Sequence, residues 1–325
     1  MKLLIIGAAG MVGRRLAENI LNTGTLGAHP VDALTAFDVV PADLASTDSI
    51  AVTVKSGDIS DRATVDGLVA DRPDVIFHLA AIVSGEAEAD FDKGYAINMD
   101  GTRHLFEAIR AQGPDYHPRV VYTSSIAVFG APFEEKITDT FLTAPMTSYG
   151  TQKMIGELLL NDYSRRGIFD GVGIRLPTIV VRPGKPNKAA SGFFSGIIRE
   201  PLAGMDALLP VDDDVMHWVA APASATGFLL HAATMDTAPL GARRCLTMPG
   251  LCLSIAEVLE ALREVAGDQA VARVKRVPNE TIRTIVSGWP QDFAPDRALA
   301  AGFTADPDFP SIIRAHIRDS GHATG

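Results

Sequence analysis

Two side chains in the segment YGTQK have the types and the spacing for proton transfer. Tyr149 and Lys153 stand four residues apart, and residues four apart share one face of a helix. Oxidising an alcohol requires the hydroxyl proton to leave as the hydride departs. A free phenol ionises near 10, and bringing it to about 7 takes roughly 4 kcal/mol of preferential stabilisation of the phenolate. A neighbouring ammonium and a cationic hydride acceptor in a dry site supply charge of the right sign. Two hydroxyls upstream, Ser124 and Ser125 in SSIAVFG, are candidates to orient the substrate oxygen. The same Tyr-x-x-x-Lys spacing also arises by chance on helix surfaces, so the surrounding elements decide its meaning.

Hydride chemistry needs an acceptor, and the N-terminus offers a place for one. In GAAGMVG, residues Gly7, Gly10 and Gly13 form G-x-x-G-x-x-G after the strand-like KLLIIG. The helical MVGRRLAENILNTG follows, with Val12, Leu16 and Ile20 at four-residue spacing and Gly24 as its stop. Gly7 allows the tight turn, Gly10 lets a pyrophosphate approach the backbone, and Gly13 lets the helix pack on the strand. Met11 and Val12 open the helix whose free N–H groups and positive end suit phosphates. Asp38 closes the second strand, ALTAFDVV, where a carboxylate bonds the ribose hydroxyls of NAD. That charge repels a 2′-phosphate, and VVPADLAST holds no arginine to accept one. NAD is therefore expected rather than NADP. Asp58 and Ile59 in SGDIS are expected beside the adenine. Leu79, Ala80 and Ala81 in HLAA are small enough to run beside the cofactor.

These motifs sit in an alternation of apolar strands and amphipathic helices. That pattern means a parallel sheet covered on both faces, a doubly wound Rossmann-type α/β fold. The alternation predicts one helix over about 95–112 and one strand over GVGIRLPTIVV. After about residue 180 the composition turns to Pro, Gly, Lys and Ser, and SIAEVLEALREVAG reads as a helix. Its ends are a capping box, Ser254 with Glu257, and Gly267. The expected organisation is an NAD-binding domain over 1–180, with 215–250 returning to it, and a smaller C-terminal α+β substrate lobe over 181–325.

Composition narrows the function classes. The 325 residues are 47% apolar and carry a formal charge of −10, which argues against a nucleic-acid surface. The first apolar run stops at glycine after four residues, and no run of about 18 exists to span a membrane. Cys245 and Cys252 are too few for a disulfide framework or a zinc site, and no cluster has metal-ligand spacing. A cytoplasmic protein without a metal is expected.

As an ordered set, the glycine loop, Asp38, GDIS, HLAA, Asn98 in INMDGT, SSIAVFG and Tyr149-x-x-x-Lys153 resemble the extended short-chain dehydrogenase/reductase family. It is also called the NAD-dependent epimerase/dehydratase family. The resemblance covers roughly the first 185 residues and implies that Ser125, Tyr149 and Lys153 are catalytic. The family's serine directly precedes the x-x-V-aromatic-Gly run, which selects Ser125 and leaves Ser124 lining the cofactor site. Phe129 stands where that aromatic is usually tyrosine. The resemblance also places Asn98 and Pro177 among the cofactor contacts, with Asn98 steadying the loop. Dehydratases of the family carry Asp-Glu after the catalytic hydroxyl residue. Here Ile126 and Ala127 follow, so dehydration is not expected.

The later segments RLPTIVVRPGKPN, SGFFSGIIREPLAG and SIIRAHIRD resemble members that oxidise small four-carbon sugar acids with NAD at carbon 2. The alternative is a sugar-nucleotide epimerase that recycles its NAD. A sugar acid needs a cation for its carboxylate. Arg182, Lys185 and Arg199 are the candidates, Arg182 first. Ser84, Asn187 and Ser191 join Ser125 and Tyr149 as expected substrate contacts, and His217 is expected to be packed in the core. The expected partners are a small sugar acid and a second copy of the chain in a homodimer.

Overall fold

The computed structural model describes residues 1–133, 136–182 and 191–320. Its contacts divide the chain into two compact units. The first holds Met1–Val128, Pro145–Leu176 and Thr226–Thr247, and the second holds Phe129–Ala144, Pro177–Ala225 and the chain from Met248 onward.

In the first unit the apolar runs become one parallel sheet. Its strands are β1 (Lys2–Ile6), β2 (Ala33–Asp38), β3 (Ala51–Ser56), β4 (Val75–His78), β5 (Arg119–Ser125), β6 (Asp170–Leu176) and β7 (Cys245–Thr247). They lie in the order β7-β6-β5-β4-β1-β2-β3, and every pairing is parallel. β4 is buried along its whole length and β1 from its second residue, as expected of strands covered on both faces. The edge strand β3 is mostly exposed. Helices α1 (Met11–Thr23), α2 (Arg62–Val69), α3 (Gly101–Ala111) and α4 (Ser148–Arg165) connect the strands. Strand order reverses between β1 and β4, so their carboxyl ends flank the crevice where such sheets bind ligands.

The helix ends follow local chemistry. Gly24 closes α1 in the left-handed conformation (φ 72°), and the Thr147 side chain caps α4 by accepting from the Gly150 N–H at 3.1 Å. The helix expected over 95–112 is not uniform. Tyr95–Asp100 forms a π-turn before α3 begins, and such wide turns gather at functional sites.

The returning tail is shorter than the 215–250 read from sequence, because Met216–Ala220 pairs within the second unit. Thr226–Thr247 belongs to the first unit and is fastened there through Asp170. That carboxylate accepts from Arg119 at 2.8 Å, Arg244 at 2.8 Å and Thr237 at 2.8 Å. GVGIRLPTIVV is also two strands rather than one. β6 stops at Leu176, Pro177 has no N–H for a ladder, and Thr178–Ile179 pairs with Val219–Ala220 in the second unit.

The second unit contains a three-stranded sheet of Thr178–Ile179, Met216–Ala220 and Leu251–Ser254, with helices at Gly192–Leu202, Ile255–Val271 and Phe309–Ser320. Its core gathers Phe194, Ile198, Leu209, Val219, Leu262 and Ile313. The capping box of Ser254 and Glu257 is formed. Gly267 ends the helix that Ser254 caps, with non-helical backbone angles (φ 77°, ψ 175°), and a second helical stretch runs on from it to Val271.

Each unit holds a histidine at 1% exposure. The Nε2 atom of His78 lies 2.9 Å from the Thr102 hydroxyl. That of His217 lies 2.6 Å from the Thr178 hydroxyl, with its ring stacked on Phe194. Burial pushes both imidazoles down to about 3. Unfolded histidines take up a proton near 6.5, whereas the folded ones do so only near 3, so acidification favours unfolding across that window. We expect stability to fall by about 3 kcal/mol between pH 6.5 and 5 from these two groups. Urea midpoints at the two pH values measure it, with His217→Gln flattening the slope. A slope unchanged by His217→Gln would dismiss that histidine as a source.

Candidate active site

The glycine loop divides into residues the fold itself demands and one it does not. A β-carbon on Gly7 (φ 99°) would stand 2.7 Å from the Ala80 nitrogen, and one on Gly13 would stand 2.0 Å from the Gly7 carbonyl oxygen. On Gly10 its nearest neighbour would be that same oxygen at 3.4 Å. The fold's own packing makes no such demand at Gly10, and its small size suits a group approaching the backbone from outside. Gly10 is the N-cap of α1, no side chain caps that helix, and its first turn carries no acid. A bare, positive helix start of this kind fits a pyrophosphate. Met11 and Val12 form that first turn, half-buried.

The strand ends around the loop are tied to it. The Asp38 carboxylate accepts from Ala9 N–H at 2.9 Å and Val39 N–H at 2.7 Å. It is thereby fixed while keeping lone pairs for further donors. Leu79 and Ala80 both donate to the Ile6 carbonyl, at 2.8 and 2.9 Å, and Ala81 follows them half-buried. Asp58 accepts from Ser60 N–H at 2.8 Å, and the Ile59 side chain belongs to the core.

Asn98, within the π-turn, treats Ile82 as a strand partner. Its Oδ1 accepts from Ile82 N–H at 2.9 Å and its Nδ2 donates to the Ile82 carbonyl at 3.2 Å. The same Nδ2 donates to Gln152 Oε1 at 2.8 Å. One buried amide therefore holds the loop after HLAA against α4.

Ser125, Tyr149 and Lys153 come together where α4 lies on β5. Two glycines permit the close approach. A β-carbon on Gly150 would stand 2.2 Å from the Ala127 carbonyl oxygen, and one on Gly156 would stand 2.2 Å from the Tyr122 hydroxyl. Ser125 Oγ accepts from Ala127 N–H at 3.1 Å and stands near enough to the Tyr149 phenol to favour its ionised form. The Lys153 ammonium donates to the Thr123 carbonyl at 2.9 Å and lies 5.7 Å from the Tyr149 ring centre.

The protein alone does not lower the phenol. Burial pushes Tyr149 up to about 12, against the effect of Ser125, and pushes Lys153 down to about 7, against the charge of Glu157. The lowered phenol expected from the sequence draws on the Lys153 ammonium and the nicotinamide charge together. Desolvation outweighs the effect of Ser125 on the phenol, and the ammonium donates to the Thr123 carbonyl.

Ser124 is committed elsewhere: its hydroxyl donates to Glu157 Oε1 at 2.5 Å, and Arg175 forks onto the same carboxylate, with its Nη2 at 2.7 Å. The sequence reading placed Ser124 beside the cofactor and did not single out Glu157, Arg175, Gln152, Gly150 or Gly156. Glu157 stands four residues beyond Lys153, a spacing that could have drawn attention to it.

The second unit holds the cationic candidates. Arg182 donates its N–H to Ser195 Oγ at 3.3 Å, and its carbonyl accepts from Arg199 at 2.9 Å. Arg199 pairs with Glu200 at 2.5 Å. The Arg182 guanidinium has no acidic partner among the described residues, and burial with the nearby Arg199 charge lowers its pKa. Ser191 is the N-cap of Gly192–Leu202 without a side-chain cap bond. Pro177 opens the second unit, and Ser84 begins the short helix Ser84–Ala89 of the first. Lys185 and Asn187 lie outside the described residues. Among the described residues no three His, Cys, Asp or Glu side chains gather to hold a metal, and no helix is long and apolar enough to cross a membrane.

Known proteins share this arrangement along the whole chain. A D-erythronate dehydrogenase of Cupriavidus necator is 45% identical over 99% of this chain and 100% of its own. Another of that name from Haemophilus influenzae is 39% identical over 98% of this chain and 99% of its own. A crystal structure described as a nucleoside-diphosphate-sugar epimerase from Agrobacterium tumefaciens superposes with a TM-score of 0.97 at 56% identity, covering 100% of this chain and 96% of that one. Residues 3–239 match the NAD dependent epimerase/dehydratase family, and the chain belongs to that family.

Proposed function

We propose that the chain is an NAD-dependent dehydrogenase that oxidises D-erythronate, or a close four-carbon sugar acid, to the 2-oxo acid. One observation carries the substrate: similarity to the two D-erythronate dehydrogenases runs from end to end and so includes the second unit. NAD, when bound, supplies the hydride acceptor. Its pyrophosphate is held at Gly10, Met11 and Val12 and its ribose by Asp38, with the HLAA turn and Asn98's loop alongside. Tyr149 takes the proton from the carbon-2 hydroxyl, and Ser125 holds that oxygen by hydrogen bonding. Lys153 supplies positive charge beside the phenolate. Burial alone raises the phenol, so the charges of Lys153 and of the cofactor are both required for a working base. Arg182, the cation without an acid among the described residues, binds the substrate carboxylate. Ser84, Asn187 and Ser191 contact its hydroxyls, and the working form is a homodimer.

The name of the Agrobacterium structure favours a second reading, a sugar-nucleotide epimerase. Such an enzyme retains its NAD and yields no net NADH. An absorbance screen for NADH over tetronic, pentonic and uronic acids separates the two readings, and silence on every acid would reject the dehydrogenase.

Three outcomes are expected. NAD should be preferred over NADP by at least about tenfold, some 1.4 kcal/mol, and Asp38→Ala should narrow the gap. Equal turnover with both cofactors in the parent enzyme contradicts the role of Asp38. Tyr149→Phe should lower turnover by roughly 100-fold or more while NAD still binds; near-normal turnover removes Tyr149 as the base.

The third concerns Arg182. Carboxylate binding is shared by ground and transition states, so Arg182→Ala should raise KM far more than it lowers kcat. The rise should be roughly 30- to 1,000-fold, the worth of one charge-assisted forked contact. The matching neutral polyol should be a poor substrate for the parent enzyme and should suffer no further loss in the variant. Equal use of acid and polyol would refute carboxylate recognition.

A further inference from the structure

Three residues at successive turns of α4 meet three consecutive residues of β5. Ser125 favours ionisation of the Tyr149 phenol, Lys153 donates to the Thr123 carbonyl, and Glu157 accepts from Ser124. The first two have roles in the reaction proposed above; the third has none there. Glu157 is nevertheless buried at 1% exposure, and burying an acidic side chain is costly unless its partners are well placed. Those partners are present. Arg175 donates through Nε at 2.9 Å and through Nη2 at 2.7 Å, and Ser124 donates at 2.5 Å.

We infer that Glu157, held by Arg175, is a positioning residue for hydride transfer: it locks the end of the strand that carries Ser125 and keeps a negative charge one helical turn from the Lys153 ammonium. The inference rests on the dehydrogenase reading for its consequence in turnover, but not for its effect on Lys153. Tyr149 and Glu157 flank Lys153 on its own helix. Tyr122 faces it from β5, with the ring centre 5.1 Å from Nζ, and His78 acts on it from β4. Arg175 of β6 reaches this group through Glu157. Tyr122 is held neutral by burial and His78 is neutral above about 3. At neutral pH Glu157 is therefore the negative charge facing the ammonium, and burial works in the opposite direction.

The sign follows. Without the carboxylate, Lys153 loses its proton at lower pH. The pair of Tyr149 and Lys153, with one proton left, then prefers neutral phenol and neutral amine, which is the inactive arrangement. Glu157 lies two turns from Tyr149, about 12 Å along the axis, so it acts on the phenol mainly through Lys153.

The test uses the full chain labelled with [ε-13C]lysine, the Lys153 resonance being assigned by its absence in Lys153→Met. In Glu157→Gln the Lys153 midpoint should fall by about one pH unit, in line with loss of one nearby opposite charge. In Glu157→Asp, where the charge is kept, it should return toward the parent value. Maximal kcat on the oxidised sugar acid should fall roughly tenfold in Glu157→Gln, and the alkaline limb of its pH profile should move down with the lysine, while the dissociation constant of NAD stays within about twofold. If Glu157→Gln does not fold, Glu157→Gln/Arg175→Gln removes both charges while allowing an amide hydrogen bond, and a fall of about half a unit is expected. An unmoved lysine midpoint in the folded variant, single or double, overturns the inference even if kcat falls. The lysine titration is read without substrate, so it stands even if no sugar acid is oxidised.

Discussion

The fit of α4 on β5 is the constraint on which the candidate site depends. Gly150 and Gly156 bring the helix backbone against Ala127 and Tyr122, and the Lys153 ammonium on the same helix donates to the Thr123 carbonyl at 2.9 Å. The close approach also makes the site dry. Dryness strengthens every charge interaction within it and penalises every unpaired charge. Tyr149 and Lys153 are accordingly both driven toward their neutral forms by the packing that brings them together. On the proposed reading, an active base is therefore assembled from charges added to the site, the cofactor supplying one of them.

A second set of contacts ties the two ends of that site together. Gly7 presses on the HLAA turn, HLAA bonds back to β1, and Asn98 clamps Ile82 and reaches Gln152 on α4. These are backbone and amide contacts, short and directional, and they link the glycine loop through HLAA and Asn98 to the helix that carries Tyr149. The π-turn has a physical use here. An α-helical register over Tyr95–Asp100 would rotate Asn98 and break a two-way bond with Ile82.

Much of this was legible in the sequence because the informative residues act locally. Gly7, Gly10 and Gly13 follow one strand and open one helix, Asp38 ends the next strand, and Ser125, Tyr149 and Lys153 sit at fixed spacings. The parallel sheet followed from apolar runs alternating with amphipathic ones. What escaped depends on partners distant in the chain. Nothing near Ser124 shows that its hydroxyl is taken by Glu157, 33 residues on. The split of GVGIRLPTIVV at Pro177 was visible as a proline, but which sheet receives each half is a matter of pairing. The π-turn has no periodic signature, since one widened turn barely shifts a helical pattern. Spacing reveals an ammonium nearby, but not that it is engaged with a backbone carbonyl.

The first unit cannot by itself distinguish a dehydrogenase from an epimerase. Both reactions begin with the same event, removal of a proton by the base as hydride leaves carbon. They part afterwards. A dehydrogenase releases the oxidised product, while an epimerase holds it until hydride returns to the other face. Retention depends on how much binding energy the non-reacting part of the substrate contributes. A sugar nucleotide brings a large diphosphate handle, and a four-carbon acid brings one carboxylate. On the proposed reading, a half-buried guanidinium such as Arg182, with no acidic partner among the described residues, suits the smaller handle, because a single forked contact orients a small acid without holding its product for long. In this family the fold supplies the shared chemistry, and the side chains that grip the substrate decide which reaction results.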